Sequence, residues 1–168
     1  MNHGFVRATD GTITEYDVPG AGAGPGQGTG GAAINPGGTI RGSYVDASGV
    51  SHGFVRATDG TFTTFDVSGA GTGPGQGTTA QNLNPAGDIA GYYVDAANVF
   101  HGFLRTKHGA ITTFDVPGAG TSRSFAIRVE KELKYFVFSK RTQKVGTTDW
   151  AAARDRDGGW SLMRGGGC

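Results

Sequence analysis

Apolar and polar positions alternate along this chain in short runs cut by turn residues, which predicts strands rather than helices. In residues 39–46, Ile40, Gly42 and Tyr44 alternate with Arg41, Ser43 and Val45. A short apolar run at 32–35 precedes this strand, and strands at 52–57 and 61–67 follow it, the last rich in Thr and Phe. Asn35-Pro36-Gly37-Gly38 and Asn84-Pro85-Ala86-Gly87 mark the first turn. Proline second suits types I and II, but type II needs a positive φ third, where Ala86 stands, so type I is expected. Asp46-Ala47-Ser48-Gly49 is a second turn, and Asn98 takes the place of Gly49 in the next copy. Gly and Asn are the residues that most readily take the left-handed position of a bulged hairpin. Asp59-Gly60 reads as a two-residue hairpin. Four short strands joined by three tight turns make one antiparallel meander, the content of a propeller blade.

The meander recurs. Residues 3–51 and 52–100 are identical at 32 of 49 positions without a gap. A third copy starts at His101, matches the second at 14 of 21 positions and stops at Thr121. A period of this size marks a repeat architecture. The fold expected is therefore all-β, with a half blade at 3–18 and whole blades at 32–67 and 80–116. Closed propellers take about four to eight blades, so this ring is incomplete. Residues 19–31 (PGAGAGPGQGTGG) are the one long link, and their glycines suit a crossing between blades. Gly26, Gly28 and Gly31 fit a dinucleotide fingerprint on paper only. No helix follows them, and Ala80 replaces Gly31 in the second copy.

Composition sharpens this picture. The chain carries 32 glycines in 168 residues and only 36% hydrophobic residues, against a usual glycine share of about 7%. There is no Gly-X-Y period, which excludes collagen. The single cysteine, Cys168, has no internal disulfide partner. No apolar run approaches the roughly 20 residues of a membrane span, and no signal peptide precedes the first repeat.

Charge divides the chain in two. Residues 1–121 hold 5 Lys+Arg against 9 Asp+Glu, and residues 122–168 hold 10 against 5. The second segment is read as a basic, atypical C-terminal tail, partly disordered, with its end (158–168) excluded from fold reasoning. Residues 124–139 (SFAIRVEKELKYFVFS) carry a helical stripe of Phe125, Val129, Leu133, Phe136 and Val137. We take them as a helix. The alternative is a decayed blade, because Ile127 and Leu133 fall six apart as Ile34 and Ile40 do. The tail cations Arg123, Arg128, Lys131, Lys134, Lys140, Arg141 and Lys144 are read as the solvated face of a cap rather than a nucleic-acid or membrane site.

The sub-motifs His-Gly-Phe-(Val/Leu)-Arg, Asp-Gly-Thr, Thr-Phe-Asp-Val, Asn-Pro-x-Gly and Gly-x-Tyr-Val-Asp recur in order over residues 1–121. They resemble the bacterial HAF-type repeats, with Gly in place of the Ala of the His-Ala-Phe core. The resemblance implies β-propeller-like blades and an extracellular or envelope-facing location. It brings no catalytic residues.

Candidate chemistry follows the repeat. His3, His52 and His101 occur once per period and are expected to bond a turn or a neighbouring strand rather than to form a metal or acid/base ring. Asp17, Asp66 and Asp115 are expected to pair with Arg7, Arg56 and Arg105 on the adjacent strand. Asp10, Asp59, Asp46 and Asp95 suit turn positions. No two carboxylates stand out as the pair that glycoside hydrolysis needs. Asp155-Arg156-Asp157-Gly158 opens like a calcium loop, but Arg154 and Arg156 flank its carboxylates. No catalytic, cofactor or metal residue is assigned. The function expected is a non-catalytic extracellular scaffold that binds protein or glycan through rim loops and self-associates through open sheet edges. The alternative is a fragment of a propeller-based hydrolase or lyase domain.

Overall fold

A computed structural model describes residues 1–115 and, in the tail, the backbone of four strands. Every described element is a strand. The chain opens with a hairpin of β1 (Gly4–Arg7) and β2 (Ile13–Tyr16), paired from Gly4↔Tyr16 to Arg7↔Ile13. A meander follows, made of β3 (Gly28–Ile34), β4 (Ile40–Val45), β5 (Ser51–Arg56) and β6 (Phe62–Phe65), each antiparallel to the next. The second meander comprises β7 (Gly77–Leu83), β8 (Ile89–Val94), β9 (Phe100–Arg105) and β10 (Ile111–Phe114). Register repeats with the sequence: Tyr44↔His52 becomes Tyr93↔His101, and Gly53↔Phe65 becomes Gly102↔Phe114. One parallel step, Ser51↔Gly77, joins the two meanders, and an isolated bridge, Asn2↔Gly28, does the same for the hairpin and β3. Among the described residues the sheets do not close on themselves, and the hairpin pairs with no third strand.

Turn chemistry sets these registers. In each hairpin turn the fourth residue donates its amide to the first, as Gly38 does to Asn35 (2.9 Å), Gly49 to Asp46 (3.1 Å) and Gly60 to Ala57 (3.0 Å). In these hairpin turns the fourth residue alone turns left-handed, at φ +80 for Gly38, +83 for Gly49 and +61 for Asn98. Ala86 stays out of that region, as type I requires. Asp59-Gly60 does not form the expected two-residue hairpin. A primed turn would force Asp59 to positive φ, whereas only Gly60 adopts one, and Asp59 instead accepts the Thr61 amide at 2.9 Å.

The core lies between the hairpin and the first meander and between the first meander and the second. Val18, Ile40, Tyr44 and the fully buried Phe54 pack with Val6, Tyr16 and Phe62 between the hairpin and the first meander. Val67, Ala80, Ile89, Tyr93 and the fully buried Phe103 pack with Val55, Phe65 and Ile111 between the two meanders. Each joint seats one aromatic residue of the preceding sheet. Tyr16 meets Phe54 edge-on at 6.4 Å beneath Arg56 (5.2 Å), and Phe65 meets Phe103 edge-on at 6.0 Å beneath Arg105 (4.8 Å). Buried threonines fasten the seams, since Val18 and Val67 donate their amides to the hydroxyls of Thr29 and Thr78, both at 2.9 Å. Glycine in the His-Gly-Phe motif has a local cause. A Cβ on Gly53 would meet the Phe65 ring at 2.5 Å, so its absence lets the aromatic of the neighbouring strand lie across the backbone.

In the tail, strands replace the expected helix. β11 (Phe125–Val129) and β12 (Tyr135–Ser139) pair antiparallel through Ile127↔Val137. Both runs are dense in β-branched and aromatic residues, which favour a pleated surface. β11 lies against β7 and β8, as β7 lies against β3 and β4. Two further strands, β13 (Trp150–Arg154) and β14 (Trp160–Arg164), pair antiparallel through Ala152↔Leu162. Residues 155–158, the calcium-loop-like stretch, lie outside the described residues. Among the described residues no helix is long and apolar enough to cross a membrane.

Candidate functional site

The three repeat histidines are the first place to look for chemistry, and each is held by aspartate. His3 Nδ1 lies 3.0 Å from Asp17, His52 Nδ1 2.9 Å from Asp66, and His101 Nδ1 2.6 Å from Asp115. The expected Asp–Arg pairs do not form, and strand register explains why. Gly53 faces Phe65, so the next residues out, His52 and Asp66, are neighbours, whereas Arg56 faces Phe62 at the other end of the hairpin. Arg56 and Arg105 instead cover aromatic rings, and Arg7 is exposed. A hairpin register read from the turn would have found the histidine partners in sequence.

A second carboxylate reaches two of these rings from the other side. Asp46 Oδ2 lies 3.5 Å from His52 Nε2, and Asp95 Oδ2 lies 3.3 Å from His101 Nε2. The same aspartates close their own turns, Asp46 Oδ1 accepting the amides of Ser48 (2.9 Å) and Val50 (2.8 Å). Tyr44 and Tyr93 stack on the imidazoles at 4.9 and 4.7 Å. Burial works to lower the pKa of His101, but its hydrogen bonds to Asp115 and Asp95 outweigh it and raise the pKa above the ordinary value. The Val99 amide, ahead of His101 and the Ala97 amide, holds Asp95 below the usual carboxylate range. These rings are thus clamped at both nitrogens, an arrangement that ties strand ends to turns. Among the described residues no group of three or more His, Cys, Asp or Glu is placed to hold a metal.

A different feature departs from the repeat. A cleft of about 290 Å³ opens where β7 begins, lined by Ser51, Gln76, Thr79, Gln81, Tyr92 and Phe100 among others. Part of its frame, Gly75, Gln76, Gly77 and Val94, is identical to Gly26, Gln27, Gly28 and Val45 of the first copy. The rest is not. Thr79, Gln81, Tyr92 and Phe100 stand where the first copy has Gly30, Ala32, Ser43 and Ser51. The Tyr92 and Phe100 rings lie 5.4 Å apart at 41°. The Oε1 atom of Gln81, the bulge residue that β7 skips in its register with β8, is buried without a hydrogen-bond partner. Sequence reading missed this cleft because it followed what the copies share. The signal lay in what they do not.

No protein family, curated protein or solved structure matches the chain.

Proposed function

We propose that the chain is a non-catalytic, extracellular binding scaffold of propeller-blade-like units, and that it takes glycan at the Tyr92–Phe100 cleft. One observation carries the reading: four positions at which the copies differ converge on that cleft. A side chain needed only to build the unit recurs in each unit. Aromatic faces beside an unpartnered amide oxygen and the hydroxyls of Ser51 and Thr79 suit a sugar ring, which offers an apolar face and a rim of hydroxyl donors. Apolar packing between successive meanders supports the blade reading, and the likeness to HAF-type repeats supports the extracellular location.

The test is a glycan array probed with the full chain, beside a protein array and a generic hydrolase panel. Glycan retention without turnover is expected. Returning Gln81→Ala and Tyr92→Ser, the residues of the first copy, should weaken it at least tenfold, about 1.4 kcal/mol, with the melting transition retained. Turnover of a substrate, retention of protein ligands alone, or binding indifferent to both substitutions would overturn the proposal.

A further inference from the structure

The strand that floors the cleft carries an extra residue. In β7, Ala80 faces Gly91 and Asn82 faces Ala90, so Gln81 has no partner of its own in β8. A bulge of this kind bends a strand and re-aims the side chains around it. In a regular strand Leu83 would share a face with Thr79 and Gln81. Here Leu83 packs on the core while Thr79 and Gln81 line the cleft. Both copies carry the bulge, since β3 shifts register between Gly30 and Ala33 at the same place.

The first meander grips the β7 bulge from across the joint. The Ala80 amide donates to Ser43 Oγ at 2.8 Å, and Arg41 Nη1 donates to the Ala80 carbonyl at 2.8 Å. Arg41 Nη2 donates to the Gln81 carbonyl. Three backbone groups of the bulge are therefore fixed by two side chains of β4. Neither side chain is needed to build a meander, because Ala90 and Tyr92 stand in their places in the second copy. Ala90 has no side-chain donor to offer, and Tyr92 lines the cleft instead. The copies thus differ at 41 and 43 on one side of the bulge and at 81 and 92 on the other. Burying a guanidinium is costly, yet this one is 6% exposed and spends two donors on the carbonyls at the bulge.

We infer that Arg41 and Ser43 are positioning residues for the cleft, presetting the Gln81 side chain in its wall by holding the Ala80–Gln81 backbone. A wall that is already ordered does not have to be ordered at the expense of affinity when ligand enters. The role rests on the glycan reading of the cleft. It differs from fastening the joint, because a fastening alone leaves the affinity of the folded protein unchanged.

The test is the glycan array, titrated with the full chain and its variants at a temperature where circular dichroism shows each to be folded. Arg41→Ala and Ser43→Ala should each raise the concentration for half-saturation about fivefold, and Ser43→Thr, which keeps the hydroxyl, should stay near wild type. In a Gln81→Ala background neither substitution should weaken binding further, since both act through that side chain. Should Arg41→Ala not fold, Ser43→Ala decides the matter. A second readout needs no glycan. NMR relaxation should find the Gln81 side-chain amide rigid in the wild type and mobile in Arg41→Ala and Ser43→Ala. Unchanged half-saturation in the folded variants, equal losses with and without Gln81, or an amide already mobile in the wild type would overturn the inference. A wild type that retains no glycan, while its amide is rigid only with Arg41 and Ser43 present, removes the glycan reading and supports the preset wall.

Discussion

Gly77→Ala is expected to destabilise the protein by about 3 kcal/mol or more, while Gly75→Ala, two residues away, costs about 1 kcal/mol. Both glycines sit at positive φ, +105 and +79. They differ in what a side chain would meet. A Cβ on Gly75 would meet nothing within 4 Å, whereas a Cβ on Gly77 would meet the backbone of Ser51, with its nitrogen at 2.8 Å and its carbonyl carbon at 3.0 Å. Backbone cannot swing aside as a side chain can, and this is the parallel step by which one meander meets the next. Urea denaturation of both variants checks the contrast. Equal losses would mean that conformational strain alone governs the seam, and that the close approach of the two backbones is not obligatory.

Arg41→Ala is expected to cost about 2 kcal/mol. Arg41 is 6% exposed on β4 and reaches across the joint, its Nη1 donating to the Ala80 carbonyl at 2.8 Å and its Nη2 to the Gln81 carbonyl. Burial lowers its pKa to about 10, so it remains charged at neutral pH. Charge-assisted bonds of this kind are worth about 1.5–3 kcal/mol each, and relief of the guanidinium's desolvation returns part of that on removal. Lysine should not restore the loss, because a single ammonium cannot span two carbonyls with the planar fork of arginine. Denaturant midpoints of Arg41→Ala and Arg41→Lys decide the matter. An unchanged or raised midpoint for either would show that the hook adds nothing to the joint.

What could be read in the sequence was local. A turn is decided within four residues, so Asn-Pro-x-Gly and the Gly49/Asn98 exchange led to the observed geometry. The period of 49 residues led to matching strands for the same reason, one meander being complete within one period. Longer reach was lost. The aspartate partners were assigned to arginine because composition identifies opposite charges, whereas only the register places Asp66 beside His52. The seam at Ser51 and Gly77 joins residues of different copies, which no pattern within a copy reveals. In the tail, Phe125, Val129 and Val137 satisfy a helical stripe and a strand equally well, an ambiguity that short apolar runs always carry.

That successive meanders pack into one cooperative stack can be measured at two amides. Ser51 donates to the Gln76 carbonyl at 2.9 Å, and Val67 to the Thr78 hydroxyl at 2.9 Å, both across the seam and neither needed by a meander folding alone. Native-state hydrogen exchange should find both protected to the level of Phe54 and Phe103 in the two sheets, opening only with global unfolding. If Ser51 and Val67 exchange at the unfolded-chain rate while Phe54 and Phe103 stay protected, the meanders fold independently and the stacked scaffold is contradicted.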